Sequence, residues 1–147
     1  MITFDKIPDK LWAEGYNCKV WVKGDYVYKA YTKYSITKDT LQKHLDIFNS
    51  LPEYEHEEIV GTIPSKNMFV TRQRKLLDWQ DILVSNYYSN GWREIDWEKI
   101  VREFLANNGY IQYNGGWRKN GITLYGLRFH NFGMDENKRL KIIDASL

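Results

Sequence analysis

The stretch Asn131-Phe-Gly-Met-Asp135, completed by Arg139-Leu-Lys-Ile-Ile-Asp144, constrains this chain more than any other. It reads as two short strands joined by the polar turn Asp135-Glu136-Asn137-Lys138. Asn131 opens the first strand and Asp144 closes the second. An amide oxygen and a carboxylate at neighbouring strand ends can share one hard divalent cation such as Mg²⁺, which takes oxygen ligands. The rest of the chain has to supply a fold that presents such a hairpin.

Hydrophobic periodicity supplies the other elements. Cys18-Lys-Val-Trp-Val-Lys23 alternates polar and apolar residues, Tyr26-Val-Tyr-Lys-Ala-Tyr31 does so less cleanly, and Gly24-Asp25 between them signals a hairpin. From about Lys38 to Ser50, Leu41, Leu45 and Phe48 fall on one helical face, and Pro52 ends the run. Glu58 to Ile63 and Met68 to Thr71 read as two strands joined through Pro64-Ser65-Lys66-Asn67. A helix is expected from Leu77 to about Tyr88, followed by a break at Asn90-Gly91. Asp96 caps the next one, whose stripe is Trp97, Ile100, Val101, Phe104 and Leu105 and whose end is Asn107-Asn108-Gly109. The loop from Asn114 to Gly121 reads as the most flexible part, and Ile122 to Tyr125 leads into the closing hairpin. The order is hairpin, helix, two strands, two helices, hairpin: an α+β layout.

At 147 residues, with 43% apolar and 16% aromatic content, one ordered domain is expected. Six Trp and eleven Tyr are many for this length, and some must lie at the surface, where rings favour partner contacts. A net charge of +2 does not force a nucleic-acid reading. A single Cys18 and three His leave no internal disulfide and no zinc spacing. The N-terminus lacks a signal-peptide pattern, and no apolar run approaches the roughly 20 residues that span a membrane. The expectation is a soluble, cytoplasmic protein.

The closing hairpin resembles the catalytic-loop and metal-binding segment of protein kinases and their small-molecule-kinase relatives. The element order resembles a kinase amino-terminal lobe, about residues 1–75, followed by the start of the helical lobe, about residues 76–147, ending after the metal-binding hairpin. The resemblance implies ATP and Mg²⁺ as cofactors. It implies Lys29 as the phosphate-gripping lysine, apt because a compact ammonium neutralises phosphate oxygens without demanding planar geometry. It assigns Asn131 and Asp144 to the metal. Gly15 stands where the family has a phosphate-binding glycine loop, with one glycine in place of three, and reads better as an ordinary turn glycine. The helix after Lys29 should carry its acidic partner, and the register puts His44 there, with Asp46 nearby.

Three departures limit the activity that the resemblance implies. The family's catalytic Asp lies five residues before the Asn, where this chain has Gly126, which cannot accept a substrate proton. The glycine loop is thin. The chain stops three residues after Asp144, so the resemblance implies either a fragment or a pared-down pseudokinase, expected to lack the elements that dock substrates, and the last strand calls for cover by a partner or by dimerisation. The leading expectation is therefore a catalytically impaired, pseudokinase-like protein that acts by binding a protein partner. Its Asn-, Lys-, Ile- and Tyr-rich composition suggests a phage-type inhibitor of a host enzyme or defence factor. The first alternative is a minimal phosphotransferase, with His130 or Asp135 replacing the base and Asp135 expected to point away. The second is a single-strand nucleic-acid binder using Arg72-Gln73-Arg74-Lys75 with Trp79, and Trp117-Arg118-Lys119. Against it, Glu53-Tyr-Glu-His-Glu-Glu58 dilutes the field and reads as a solvated face.

Overall fold

The structure, a computed structural model, describes residues 1–14, 18–31, 37–87 and 95–147. It is a mixed α+β chain with a six-stranded sheet and few helices, and it divides into two compact units, Met1–Lys75 and Leu76–Leu147. No helix among the described residues is long and apolar enough to cross a membrane.

The first unit contains β1 (Ile2–Thr3), β2 (Ala13–Glu14), β3 (Cys18–Lys23), β4 (Tyr26–Tyr31), α1 (Lys38–Asn49), β5 (Glu57–Ile63) and β6 (Met68–Arg74). The strands lie in the order β1-β5-β6-β4-β3-β2, with β1 parallel to β5 and every other pair antiparallel. Strand alternation sends Trp21, Tyr28, Ala30, Ile63 and Val70 to one face, where Phe4, Ile7 and Leu11 cover them. Trp21 and Tyr28 stack at 5.8 Å, and Phe4 meets both rings edge-on. β1 can lie this close only because residue 61 is glycine: a Cβ there would collide with the Ile2 carbonyl oxygen and the Phe4 ring.

Cys18, Val20 and Val27 lie on the opposite face, with Val22 and Tyr31 beside them. The register Val20↔Lys29↔Thr71 puts Lys29 and Thr71 on that face too. α1 starts where the Thr37 hydroxyl accepts from the Thr40 N–H at 3.1 Å, and it buries Leu41, Leu45 and Phe48.

The second unit contains α2 (Trp79–Tyr87), α3 (Trp97–Asn107), β7 (Ile111–Tyr113), β8 (Gly116–Lys119), β9 (Ile122–Leu124), β10 (Phe132–Met134) and β11 (Leu140–Ile142). Asp78 accepts from Gln80 N–H and Asp96 from Lys99 N–H, both at 3.0 Å, and these bonds start the two helices. Trp79 meets Trp97 edge-to-face at 5.1 Å in a core completed by Val101, Leu105, Leu124, Phe132 and Ile142.

Two sequence expectations are corrected here. The run 114–121 is no flexible loop. It forms most of an antiparallel meander, β7-β8-β9, with two-residue turns at Asn114-Gly115 and Asn120-Gly121. All four turn residues have positive φ, the conformation whose twist matches the flanking strands. The acidic run 53–58 is no solvated face either, because Glu53, Glu55 and Glu57 are all buried.

Candidate functional site

Lys29 sits in the middle of β4, on the less ring-crowded face of the first sheet, and its side chain is only 5% exposed. An ammonium cannot stay charged there without a partner. Glu57, the first residue of β5, is one such partner, with Lys29 Nζ 3.1 Å from Glu57 Oε1. Neither His44 nor Asp46 takes this role: Asp46 is exposed and accepts from the Gln42 amide at 2.9 Å. The helix register that the resemblance implied is thus corrected by a strand-borne carboxylate.

Glu57 is itself a hub. Tyr54 Oη donates to its Oε1 at 2.8 Å, while Tyr31 Oη at 2.6 Å and Thr71 Oγ1 at 2.7 Å donate to its Oε2. Burial alone pushes its pKa up. The Lys29 charge and the three hydroxyl donors outweigh that, and the carboxyl is held below its ordinary value. The backbone is held as well. Asn49, the last residue of α1, donates its side-chain amide to Glu57 O at 2.9 Å and accepts from Glu57 N–H at 3.0 Å. The Lys–Glu pair is therefore built across β6, between the two strands that flank it, and the helix contributes the Asn49 clamp.

In the second unit, β10 and β11 pair as Phe132↔Ile142, Gly133↔Lys141 and Met134↔Leu140. Ile143 N–H donates to Asn131 O at 2.9 Å, which extends the ladder to Asn131 and brings the residue before Asp144 alongside it. The Asn131 side-chain amide donates to Gly126 O at 2.6 Å, an orientation that leaves its carbonyl oxygen as the side chain's acceptor. Gly126 has φ +74° and its Cβ direction is open, with Asn131 Nδ2 the nearest atom at 4.0 Å. Asp135 points into its own turn, where its Oδ1 accepts from Asn137 N–H and Arg139 N–H, both at 2.9 Å. His130 is exposed and packs edge-on to Phe129.

As oxygen donors, Asn131 and Asp144 suit Mg²⁺, which keeps most of its shell as water and phosphate. No cluster of three or more His, Cys, Asp or Glu that could hold a metal exists among the described residues. Gly15 lies outside the described residues.

Four of the five cations considered for nucleic acid, Arg72, Arg74, Arg118 and Lys119, have partners within their own unit. Arg72 pairs with Glu58 at 3.0 Å and lies over the Tyr26 ring, and its hydrogen bonds to Glu58 and Tyr28 raise its pKa. Arg74 meets Glu55 at 3.3 Å. Arg118 lies over Tyr113, Lys119 over Tyr110, and Trp79 is buried.

No family profile matches the chain, and no curated protein matches it. Among solved structures, a co-crystal structure of WbdD with the kinase inhibitor LY294002 is similar at 18% identity and a TM-score of 0.39, covering 89% of this chain and 31% of that one. A second crystal structure of WbdD is similar at 18% identity and a TM-score of 0.41, covering 94% of this chain and 32% of that one. The chain spans about a third of the length of each.

Proposed function

We propose that this chain is a protein-kinase-like domain, an amino-terminal lobe with the start of a helical lobe, that has lost phosphoryl-transfer chemistry and acts by binding a protein partner. The observation that carries the reading is Gly126. The position five residues before Asn131 offers no side chain to accept a proton, and its carbonyl is held by the Asn131 amide. Asp135, the nearest substitute in sequence, is committed to its turn.

The kinase-like part of the reading is supported by the strand order β2-β3-β4-β6-β5, with a helix inserted between β4 and β5. A buried Lys–Glu pair on that sheet and the Asn131–Asp144 hairpin add to it. The partner part is supported by large apolar side chains left at the surface: Trp12 and Tyr26 in the first unit, Ile111 and Tyr113 on β7 in the second. A phage-encoded inhibitor of a host enzyme or defence factor fits a domain of this size that works by occupancy.

The retained Lys29–Glu57 pair and hairpin favour a second reading, a minimal ATP- and Mg²⁺-dependent phosphotransferase. In it Lys29 would bind phosphate while Asn131 and Asp144 would hold the metal, which would neutralise phosphate charge. The two readings separate on the partner complex. A tagged chain should recover one partner that rebinds stoichiometrically after purification, and Asp144→Ala should bind it as tightly as the wild type. Loss of the complex in Asp144→Ala would overturn the binding reading in favour of the enzymatic one.

A further inference from the structure

The second unit contains a cleft of about 220 Å³ between α3, the β7-β8-β9 meander and the segment Gly126–Arg128. Its deep side is apolar, formed by Val101, Leu124 and Leu127, all buried. One wall is bare backbone at Gly115-Gly116. Residue 116 must be glycine, since a Cβ there would sit 2.6 Å from Leu124 O and 3.0 Å from the Tyr125 ring. Trp117 adds a half-buried ring, and Gly126 adds neither bulk nor charge.

The polar groups lie on the more exposed side. Arg102 and Arg128 bring two guanidinium groups, and Glu98 brings one carboxylate, which takes the Arg128 Nε at 3.2 Å. Two cations against one anion leave this side of the cleft net positive. A guanidinium whose Nε is engaged still presents its terminal N–H pair in the fork that matches an oxyanion.

From this juxtaposition we infer that the cleft is a binding site for a small aromatic oxyanion: one ring carrying a carboxylate or a phosphate monoester. Size sets the ring count. An apolar cavity of roughly 150 Å³ holds benzene, so this volume accommodates one substituted ring. Chemistry sets the orientation: the ring against Trp117 and the apolar floor, the anionic group toward Arg102 and Arg128. Small-molecule sites generally combine an apolar lining with a few convergent polar groups in this way. The site lies wholly within residues 98–128 and does not depend on whether the hairpin carries nucleotide chemistry.

The test is a titration of the ¹⁵N-labelled full chain, followed by amide shifts, with phenyl phosphate, benzoate and the uncharged benzyl alcohol. Saturable shifts are expected at Gly115, Gly116, Trp117 and Gly126 with both anions, and much weaker ones with benzyl alcohol. Arg102→Gln and Arg128→Gln should each weaken anion binding by about tenfold or more. Absence of saturable shifts at millimolar anion, shifts confined to other parts of the chain, or equal affinity for benzyl alcohol would overturn the inference. Unchanged affinity in both folded variants would overturn it too. If a variant fails to fold, the comparison of charged and uncharged probes on the wild type still decides.

Discussion

Glu57→Gln is the sharpest perturbation of the first unit. The substitution keeps shape and removes one charge, the carboxylate that lies 3.1 Å from the buried Lys29 ammonium. Glutamine also replaces one acceptor oxygen by an NH₂, although the wild-type carboxylate receives two donors on each oxygen. Breaking a buried pair from one side costs about 3–5 kcal/mol, and a loss of that size lowers Tm on the order of 10–20 °C for a chain of this length. Urea denaturation followed by near-ultraviolet circular dichroism, where the Trp21–Tyr28 stack contributes, measures it. The double variant Lys29→Met/Glu57→Gln should lose less than the sum of the two single losses, by about 1–3 kcal/mol. The pH dependence follows the same group. Because folding holds the Glu57 carboxyl below its ordinary 4.5, its stabilisation is fully present above that value and disappears as pH falls through the folded pKa. Glu57→Gln should flatten that acid limb. A single variant within about 1 kcal/mol of wild type, with the acid limb intact, would refute the hub as a stabilising pair.

Three further substitutions test other parts of the fold. Gly61→Ala should displace β1 and destabilise by about 1–3 kcal/mol, with loss of amide protection at Phe4, whose N–H donates to Thr62 O; unchanged protection would contradict the close approach. Gly121→Ala meets no atom within 4 Å but forces an L-residue to φ +77°, so about 1 kcal/mol should be lost by urea denaturation from conformation alone. No loss would mean that the turn is not of the positive-φ type. Asn131→Ala removes the 2.6 Å bond to Gly126 O and should cost about 1 kcal/mol, with amide shifts at Arg128 and Ile143; shifts confined to residue 131 would contradict the clamp.

Much of the fold was legible because local signals and tertiary demands agree. The β3–β4 hairpin follows from strand alternation around Gly24, α1 from its Leu41, Leu45 and Phe48 stripe, and α3 from the Asp96 cap. The meander is not apparent from strand periodicity, although Asn114-Gly115 and Asn120-Gly121 are strong two-residue hairpin signals. Strands of three or four residues carry too little alternation to be seen beside them. β1, two residues long, is set by Gly61, the register partner of Ile2, and no local window contains both.

The candidate site divides in the same way. Asn131, Asp144 and Lys29 stand out by their setting in the sequence, whereas Glu57 lies within a run of polar residues. Its burial is imposed by Lys29, Tyr31 and Thr71, donors that reach it only after the sheet is assembled. No alternation marks it in advance: Glu53, Tyr54, Glu55 and Glu57 are all buried, and His56 alone in that run is exposed.

The central claim is that a kinase-like chain with Gly126 in place of a base transfers no phosphate. The direct measurement is incubation of the purified chain with γ-labelled ATP and Mg²⁺, alone and with any protein it recovers, beside Asp144→Ala. The account predicts label incorporation by the wild type no greater than by Asp144→Ala. Incorporation that depends on Asp144 would contradict it.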